Sequence, residues 1–246
     1  MKVLISIDDT DNLDSPGTGA LAAEIARMIR VRNWGQTFCI TRHQLYIHPA
    51  IPYTSHNSAM CFAADIDPAC TETMIAASAE FLVEQSAVGS DPGLCVVRTE
   101  TCTDPGALVG FGQAAKSQVL SKEDAYCLAR RLRLHLSEHG GTGQGVIGAL
   151  AGAGLRLSGN DGRMRGRLTL SGDASQITVK ALREHRDIDA VQTLAGELLP
   201  DSTLINLGDK VKTVLLGGGS TLLVTEEVAG AVARWRTCSN QELKGY

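Results

Sequence analysis

Val3-Leu4-Ile5-Ser6-Ile7-Asp8-Asp9-Thr10-Asp11-Asn12-Leu13-Asp14-Ser15-Pro16-Gly17-Thr18-Gly19-Ala20-Leu21-Ala22 runs from an apolar strand through a knot of carboxylates straight into a helix start. Val3, Leu4, Ile5 and Ile7 make the β-rich run a buried strand needs, and Leu21, Ile25, Met28 and Ile29 recur at helical spacing. The acids therefore sit at the carboxyl end of a strand, where open α/β sheets bind their ligands. Asp8, Asp9, Asp11 and Asp14 repel one another, because each disfavours the ionised form of its neighbour. A divalent cation relieves that repulsion, and Mg²⁺ suits the loop: it takes carboxylate oxygens and keeps part of its shell for water and phosphate. The competing reading is a solvated acidic turn that caps the helix. Thr18 is either a helix cap or a hydroxyl aimed at a phosphate. A helix beginning near Pro16 or Thr18 also turns free N–H donors toward the same phosphates. Such parts suffice for phosphoryl transfer, in which catalysis is mostly positioning and charge neutralisation.

The rest of the composition limits the alternatives. The chain has 246 residues, 43% apolar and 20% charged, and a formal net charge of −4, which argues against a strongly basic nucleic-acid surface. Arg130, Arg131 and Arg133, and then Arg163, Arg165 and Arg167, are the candidate basic patches, with solvated faces as their simpler reading. Seven cysteines, none in a C-x-x-C pair, fit reduced thiols in a cytoplasm, with Cys39, Cys61 and Cys95 as small core residues. The start on a strand, and the lack of an apolar run of about eighteen residues, predict a cytoplasmic protein with no membrane partner.

Along the chain, strands are expected at 36–40, 58–66 and 94–99, and an exposed polar loop at 42–57. Asp67-Pro68 opens a helix through about Ser86. A short helix or loop follows over 105–115. Ser121 with Asp124 forms a capping box whose helix runs until Gly140-Gly141 stop it near His139. Further on, 163–170 alternates like a half-exposed strand, 191–199 reads as helical, and 202–224 is β-rich, with Gly208-Asp209 as a tight hairpin turn. This last region is expected to be a β-rich wall or a homodimer surface.

Gly143, Gly145 and Gly148 satisfy G-x-G-x-x-G, but the dinucleotide fingerprint needs a preceding strand where a helix is expected, so that motif is rejected. What remains is a loop of exposed N–H groups leading into a small-residue helix, which either cradles phosphates or serves close helix packing. His56, beside Asn57 on the polar loop, is a general base, a phosphate donor or a surface residue. His43 and His48 lie on the same stretch.

Taken together, Asp8-Asp9-Thr10-Asp11, the Gly-Thr helix start, Ile51-Pro52-Tyr53 leading to Asn57, and Gly145-Val146-Ile147-Gly148-Ala149-Leu150-Ala151 resemble the tRNA(Ile) 2-agmatinylcytidine synthetase (TiaS) family over roughly the first 165 residues. The resemblance implies an α/β (α+β) fold, a kinase-like ATP-binding domain with a ferredoxin-like companion, mixed sheets with helices. It divides the chain into a catalytic region at 1–165 and a β-rich region at 166–246. The family uses ATP to activate an anticodon cytidine and joins agmatine to it. By motif, Asp8, Asp9 and Asp11 would hold Mg-ATP, Thr18 would lie near the transferred phosphoryl group, and Thr10, Asn12, Gly17, Gly19, Asn57, Gly143, Gly145 and Gly148 would line the nucleotide site.

The family's Lys-Thr-Arg-Gly-Asn-like loop is here Thr54-Ser55-His56-Asn57, which removes two fixed cations. The family's OB-fold and zinc ribbon have no counterpart before Tyr246, so the RNA-holding apparatus is expected to be missing. The expected function is thus a Mg-ATP-dependent phosphotransferase or synthetase acting on a small molecule or a partner-delivered substrate. tRNA is an open but not favoured partner. The rival readings are true tRNA(Ile) agmatinylation and a nucleotide-sensing module without turnover.

Overall fold

A computed structural model describes residues 1–54, 56–166, 168, 170, 176–229 and 232–246. Ser55 and Arg167, named above, and position 169 of the strand expected over 163–170 lie outside the described residues. Two compact units follow one another, Met1–Ser158 and Gly159–Tyr246, and the architecture is mixed α/β.

The first unit begins β1 (Lys2–Asp8), α1 (Thr18–Val31), β2 (Gly35–Gln44), β3 (Ser58–Ile66), α2 (Thr71–Gln85) and β4 (Gly93–Arg98). These strands pair antiparallel in the order β4-β1-β3-β2. That is the βαββαβ topology of a ferredoxin-like domain. The ferredoxin-like element is therefore the very part that carries the aspartates. Four further elements complete the unit: α3 (Pro105–Ala114), α4 (Lys122–Leu132), β5 (His135–Glu138), which pairs with β4, and α5 (Gly145–Ser158).

β1 is buried on both faces. Ile5 and Ile7 pack with Leu21, Ile25 and Ile29 of α1 and with Met74 and Leu82 of α2. Leu4 packs with Val146, Ala149, Leu150 and Ala153 of α5 and with Leu108 of α3. A strand covered on both sides reads as a continuous apolar run, as Val3 to Ile7 does. On the second face helices and sheet meet through glycine. A methyl on Gly154 would run into the Leu108 carbonyl, one on Gly152 would lie 2.6 Å from Ser6 Oγ, and one on Gly112 would lie 2.9 Å from the Ala151 carbonyl.

Several expectations change. β2 runs on through Gln44, so Arg42 and His43 are strand residues rather than part of the polar loop. α4 has its Ser121–Asp124 capping box but ends at Leu132, because Arg133 turns left-handed (φ 57°) and His135 to Glu138 pair with the edge of β4. A strand thus precedes the glycine-rich loop after all. Cys39 is exposed, while Cys61 and Cys95 are buried. Arg130 pairs with Glu123 at 3.0 Å, and Arg163 is buried, its Nη1 donating to the Asn240 carbonyl at 3.4 Å.

The second unit comprises β6 (Arg163–Met164), β7 (Gln176–Thr178), α6 (Val179–Arg183), β8 (Ala190–Thr193), β9 (Leu204–Asn206), β10 (Val214–Leu216), β11 (Gly219–Ala229) and β12 (Val232–Thr237). The region expected to be helical from Val191 begins as strand β8, parallel to β11, because Val191 and Thr193 are buried on one face. The tight hairpin joins β10 to β11 at Gly217-Gly218, both with positive φ (59° and 79°), the geometry a two-residue turn demands. At Gly208-Asp209 there is no hairpin, since β9 pairs with β7 and β12.

Close packing of α3 on α5 predicts that Gly154→Ala destabilises by about 2 kcal/mol, an overpacking cost. Gly110→Ala on α3, where an added methyl meets nothing within 4 Å, is neutral or stabilises by up to about 1 kcal/mol. Urea unfolding midpoints of the two variants check this.

Candidate functional site

The site begins where β1 ends. Asp8 is its last residue, buried, and its carboxylate lies against α5: a methyl on Gly148 would collide with its Oδ2. Burial, and then the neighbouring Asp9, push the Asp8 carboxyl up to about 8. Asp9 follows with φ 51°, a left-handed turn that bends the chain off the sheet. Its carboxyl rises to about 6 through burial and then through Asp91 and Asp11. Asp11 accepts the Thr18 N–H at 3.4 Å, so it caps α1, whose N-cap residue Gly17 has no side chain to do so.

Within the turn, Asn12 Oδ1 accepts the Asp14 N–H at 3.0 Å and the Asn12 N–H donates to Ser15 Oγ at 2.8 Å. Thr10 is buried, and its carbonyl accepts the Ala87 N–H at 3.0 Å, anchoring the turn to the connection between α2 and β4.

Around these acids opens a cavity of about 450 Å³, the size of a small-molecule site. Asp8, Asp9 and Asp11 line it, as do Gly17, Thr18 and Gly19 of α1, Gly145 and Gly148 of α5, and His56 and Asn57. Of the residues named from sequence, Thr10, Asn12 and Gly143 are not among its lining. Arg42 and the Gln118–Leu120 segment line it unforeseen. Arg42 was missed because β2 is longer than its apolar part. Its signal was the alternation Ile40, Arg42, Gln44, which continues the strand period.

The loop after β2 is clasped rather than loose. Asn57 Nδ2 donates to the Tyr46 carbonyl at 2.6 Å, and the Asn57 carbonyl accepts the Leu45 N–H at 2.9 Å. Thr54 Oγ1 donates to the Asp11 carbonyl at 3.1 Å and ties this wall to the acidic turn. His48 stacks on Tyr46, and His43 is buried beside Thr41 Oγ1 at 2.7 Å, away from the cavity lining.

The glycine-rich loop spends its N–H groups inside the protein. Burial acts to raise the Asp91 carboxyl, but the hydroxyl and amide of Thr142 and the amides of Gln144 and Gly143 outweigh it and hold the group below the usual carboxylate range. The Asp91 carbonyl also accepts the Gly145 N–H at 3.1 Å, and its own N–H donates to the Asp9 carboxylate. Asp91 thereby fastens both the first turn of α5 and the acidic turn. Gly143 (φ 77°) sits against Glu138.

Among the described residues no group of three or more His, Cys, Asp or Glu side chains forms a ready-made metal cluster. The donor set nevertheless fits Mg²⁺, which is commonly held by one or two carboxylates together with substrate phosphates and water. One buried and one half-buried carboxyl, both raised by burial and by neighbouring carboxylates, are what a cation relieves.

No protein-family model matches the chain, and no curated protein sequence matches it. Among solved structures, a complex of TiaS with its isoleucine tRNA and ATP is 26% identical, with a TM-score of 0.54 over 63% of this chain and 36% of that one. Apo TiaS, a tRNA agmatidine synthetase, is 25% identical, with a TM-score of 0.53 over 63% of this chain and 35% of that one. The chain is similar to TiaS. A further TiaS complex, with the isoleucine tRNA, AMPCPP and agmatine, covers 82% of this chain and 50% of that one with a TM-score of 0.53; at 19% identity it speaks for the fold alone. The chain thus spans about a third of the length of the first two TiaS chains.

The raised Asp8 carboxyl gives a pH prediction. Below about pH 4 the group is protonated whether folded or unfolded. As pH climbs toward about 8 the folded state alone holds the proton, so this group's contribution to stability is progressively lost. Thermal unfolding without added metal is expected to show Asp8→Asn gaining on the parent between about pH 5 and pH 8. A constant difference across that range contradicts the burial argument.

Proposed function

We propose that this chain is a Mg-ATP-dependent phosphotransferase or synthetase, similar in its working parts to the catalytic portion of TiaS, with the cavity of the first unit as its active site. One observation carries the reading: Asp8, Asp9 and Asp11 share a cavity with the Gly17–Gly19 start of α1 and the glycine face of α5, which supports a site where a metal on the acids meets phosphate at a helix start. The similarity to TiaS crystallised with ATP supports the nucleotide.

In this reading Asp8, Asp9 and Asp11 hold the metal. Gly17 and Gly19 present backbone amides, and Thr18 its hydroxyl, to the transferred phosphoryl group. Gly145 and Gly148, having no side chains, let nucleotide and carboxylate approach α5. Thr10, Asn12 and Asn57 hold the loops in place, and Gly143 keeps the glycine-rich loop seated on Glu138 and Asp91. His56, at the cavity wall, is the general base or a phosphate donor. Mg²⁺, when bound, supplies neutralisation of phosphate charge during bond cleavage.

The second substrate is a small molecule or one delivered by a partner. The apolar wall of Leu45, Ile51, Pro52 and Leu120 leaves room for it in the same cavity. A cytoplasmic setting belongs to the same reading; no helix among the described residues is long and apolar enough to cross a membrane. A second reading, tRNA(Ile) agmatinylation, is favoured by the identity to TiaS bound to its isoleucine tRNA, and incorporation of labelled agmatine into tRNA tests it.

Titration calorimetry with ATP, with and without Mg²⁺, tests the main reading. The parent is expected to bind ATP in a metal-dependent way, and Asp9→Asn and Asp11→Asn to lose roughly tenfold or more of that affinity while staying folded. Release of ADP or AMP would separate an enzyme from a nucleotide sensor. Unchanged binding by both variants reduces the acids to a turn.

A further inference from the structure

The acidic turn leaves an electrostatic problem that the proposed function does not answer. A triphosphate carries several negative charges into a cavity already lined by three carboxylates, and one bound cation with the start of α1 leaves that assembly strongly anionic. The Thr54–Asn57 stretch contributes no Lys or Arg. Among the described residues lining the cavity, Arg42 is the sole Lys or Arg.

Its position is built rather than incidental. Arg42 lies near the end of β2, paired with Met60 of β3, and Met60 in turn pairs with Ile7, the residue before Asp8. Two strand spacings, roughly 10 Å, thus separate the Arg42 backbone from the start of the acidic turn, the distance across which a phosphate chain extends. Ser58 and Met60, cavity residues on β3, flank it, and Arg42 Nε donates to Ser58 Oγ at 2.9 Å. That bond fixes the guanidinium plane through its inner nitrogen.

Arg42 shares the cavity with the first turn of α1, which contains no acidic residue. The strand face agrees: Arg42 has the parity of Ile40, which packs in the α1–α2 core. Arg42 on β2 and Asp8 at the end of β1 thus line one cavity two strands apart, with the Asp11-capped start of α1 in the same space, so a cation and a carboxylate stand at separate places along a metal-bridged phosphate chain.

Resting on the nucleotide reading above, we infer that Arg42 is the fixed cation that binds the phosphate groups of the nucleotide opposite the acidic turn, with Ser58 as the residue that positions it. A purely structural Arg42 would tie β2 to β3 and leave ATP affinity untouched.

The test is calorimetric titration of the parent, Arg42→Ala, Arg42→Lys and Arg42→Gln with Mg-ATP, together with each variant's thermal midpoint. Arg42→Ala and Arg42→Gln are expected to weaken ATP roughly ten- to hundredfold. Arg42→Lys should restore part of that loss, since it keeps the charge but not the fork. If Arg42→Ala does not fold, the Gln and Lys variants decide between them. Should the parent bind ATP and the folded neutral variants match it within twofold, the inference about Arg42 falls and the nucleotide reading stands. A parent that binds no ATP overturns the nucleotide reading and this inference with it.

Discussion

The approach of helix α5 to strand β1 is the constraint on which the rest of the first unit depends. It is possible only because α5 presents glycine where the strand is nearest. Gly152 faces Ser6, Gly148 faces the Asp8 carboxylate, and Gly145 lies beneath the Asp91 and Asp8 carbonyls. Any side chain there would lift the helix off the sheet. Removing it would expose Val146, Ala149 and Leu150 and also hydrate Asp8, so the same contact that builds the core creates the buried carboxylate.

That carboxylate explains why the acidic turn is more than a cap. An exposed cluster of aspartates is screened by water and costs little. Here one member is buried, a second is half covered and abuts Asp91, and the third is tied to the first turn of α1. The repulsion is held in place by packing on one side and by the Thr54 and Asn57 clasp on the other. A cation with phosphate oxygens is the ligand that turns this arrangement from a cost into a binding site.

Much of this was legible in the residues, for reasons that differ by element. β1, α1 and the Ser58–Ile66 strand could be read because burial on one or both faces imprints a period on the sequence. The site was legible because the acids, the Gly-Thr start and the glycines of α5 each carry chemistry in a short window. β5 was hidden: His135 to Glu138 carry a single apolar residue, Leu136, and the strand forms because the edge of β4 needs a partner. Arg42 was hidden for the opposite reason, a polar residue extending a strand whose apolar part had ended. The role of the glycine-rich loop turned on Asp91, fifty-one positions before Thr142, and no local pattern announces a carboxylate so distant in sequence.

The most direct measurement is a crystal structure of the protein grown with Mg²⁺ and a non-hydrolysable ATP analogue. The account predicts a triphosphate lying between the first turns of α1 and α5, with metal on carboxylate oxygens of the Asp8–Asp11 turn. Nucleotide bound elsewhere, or a metal seated away from those aspartates, would contradict it.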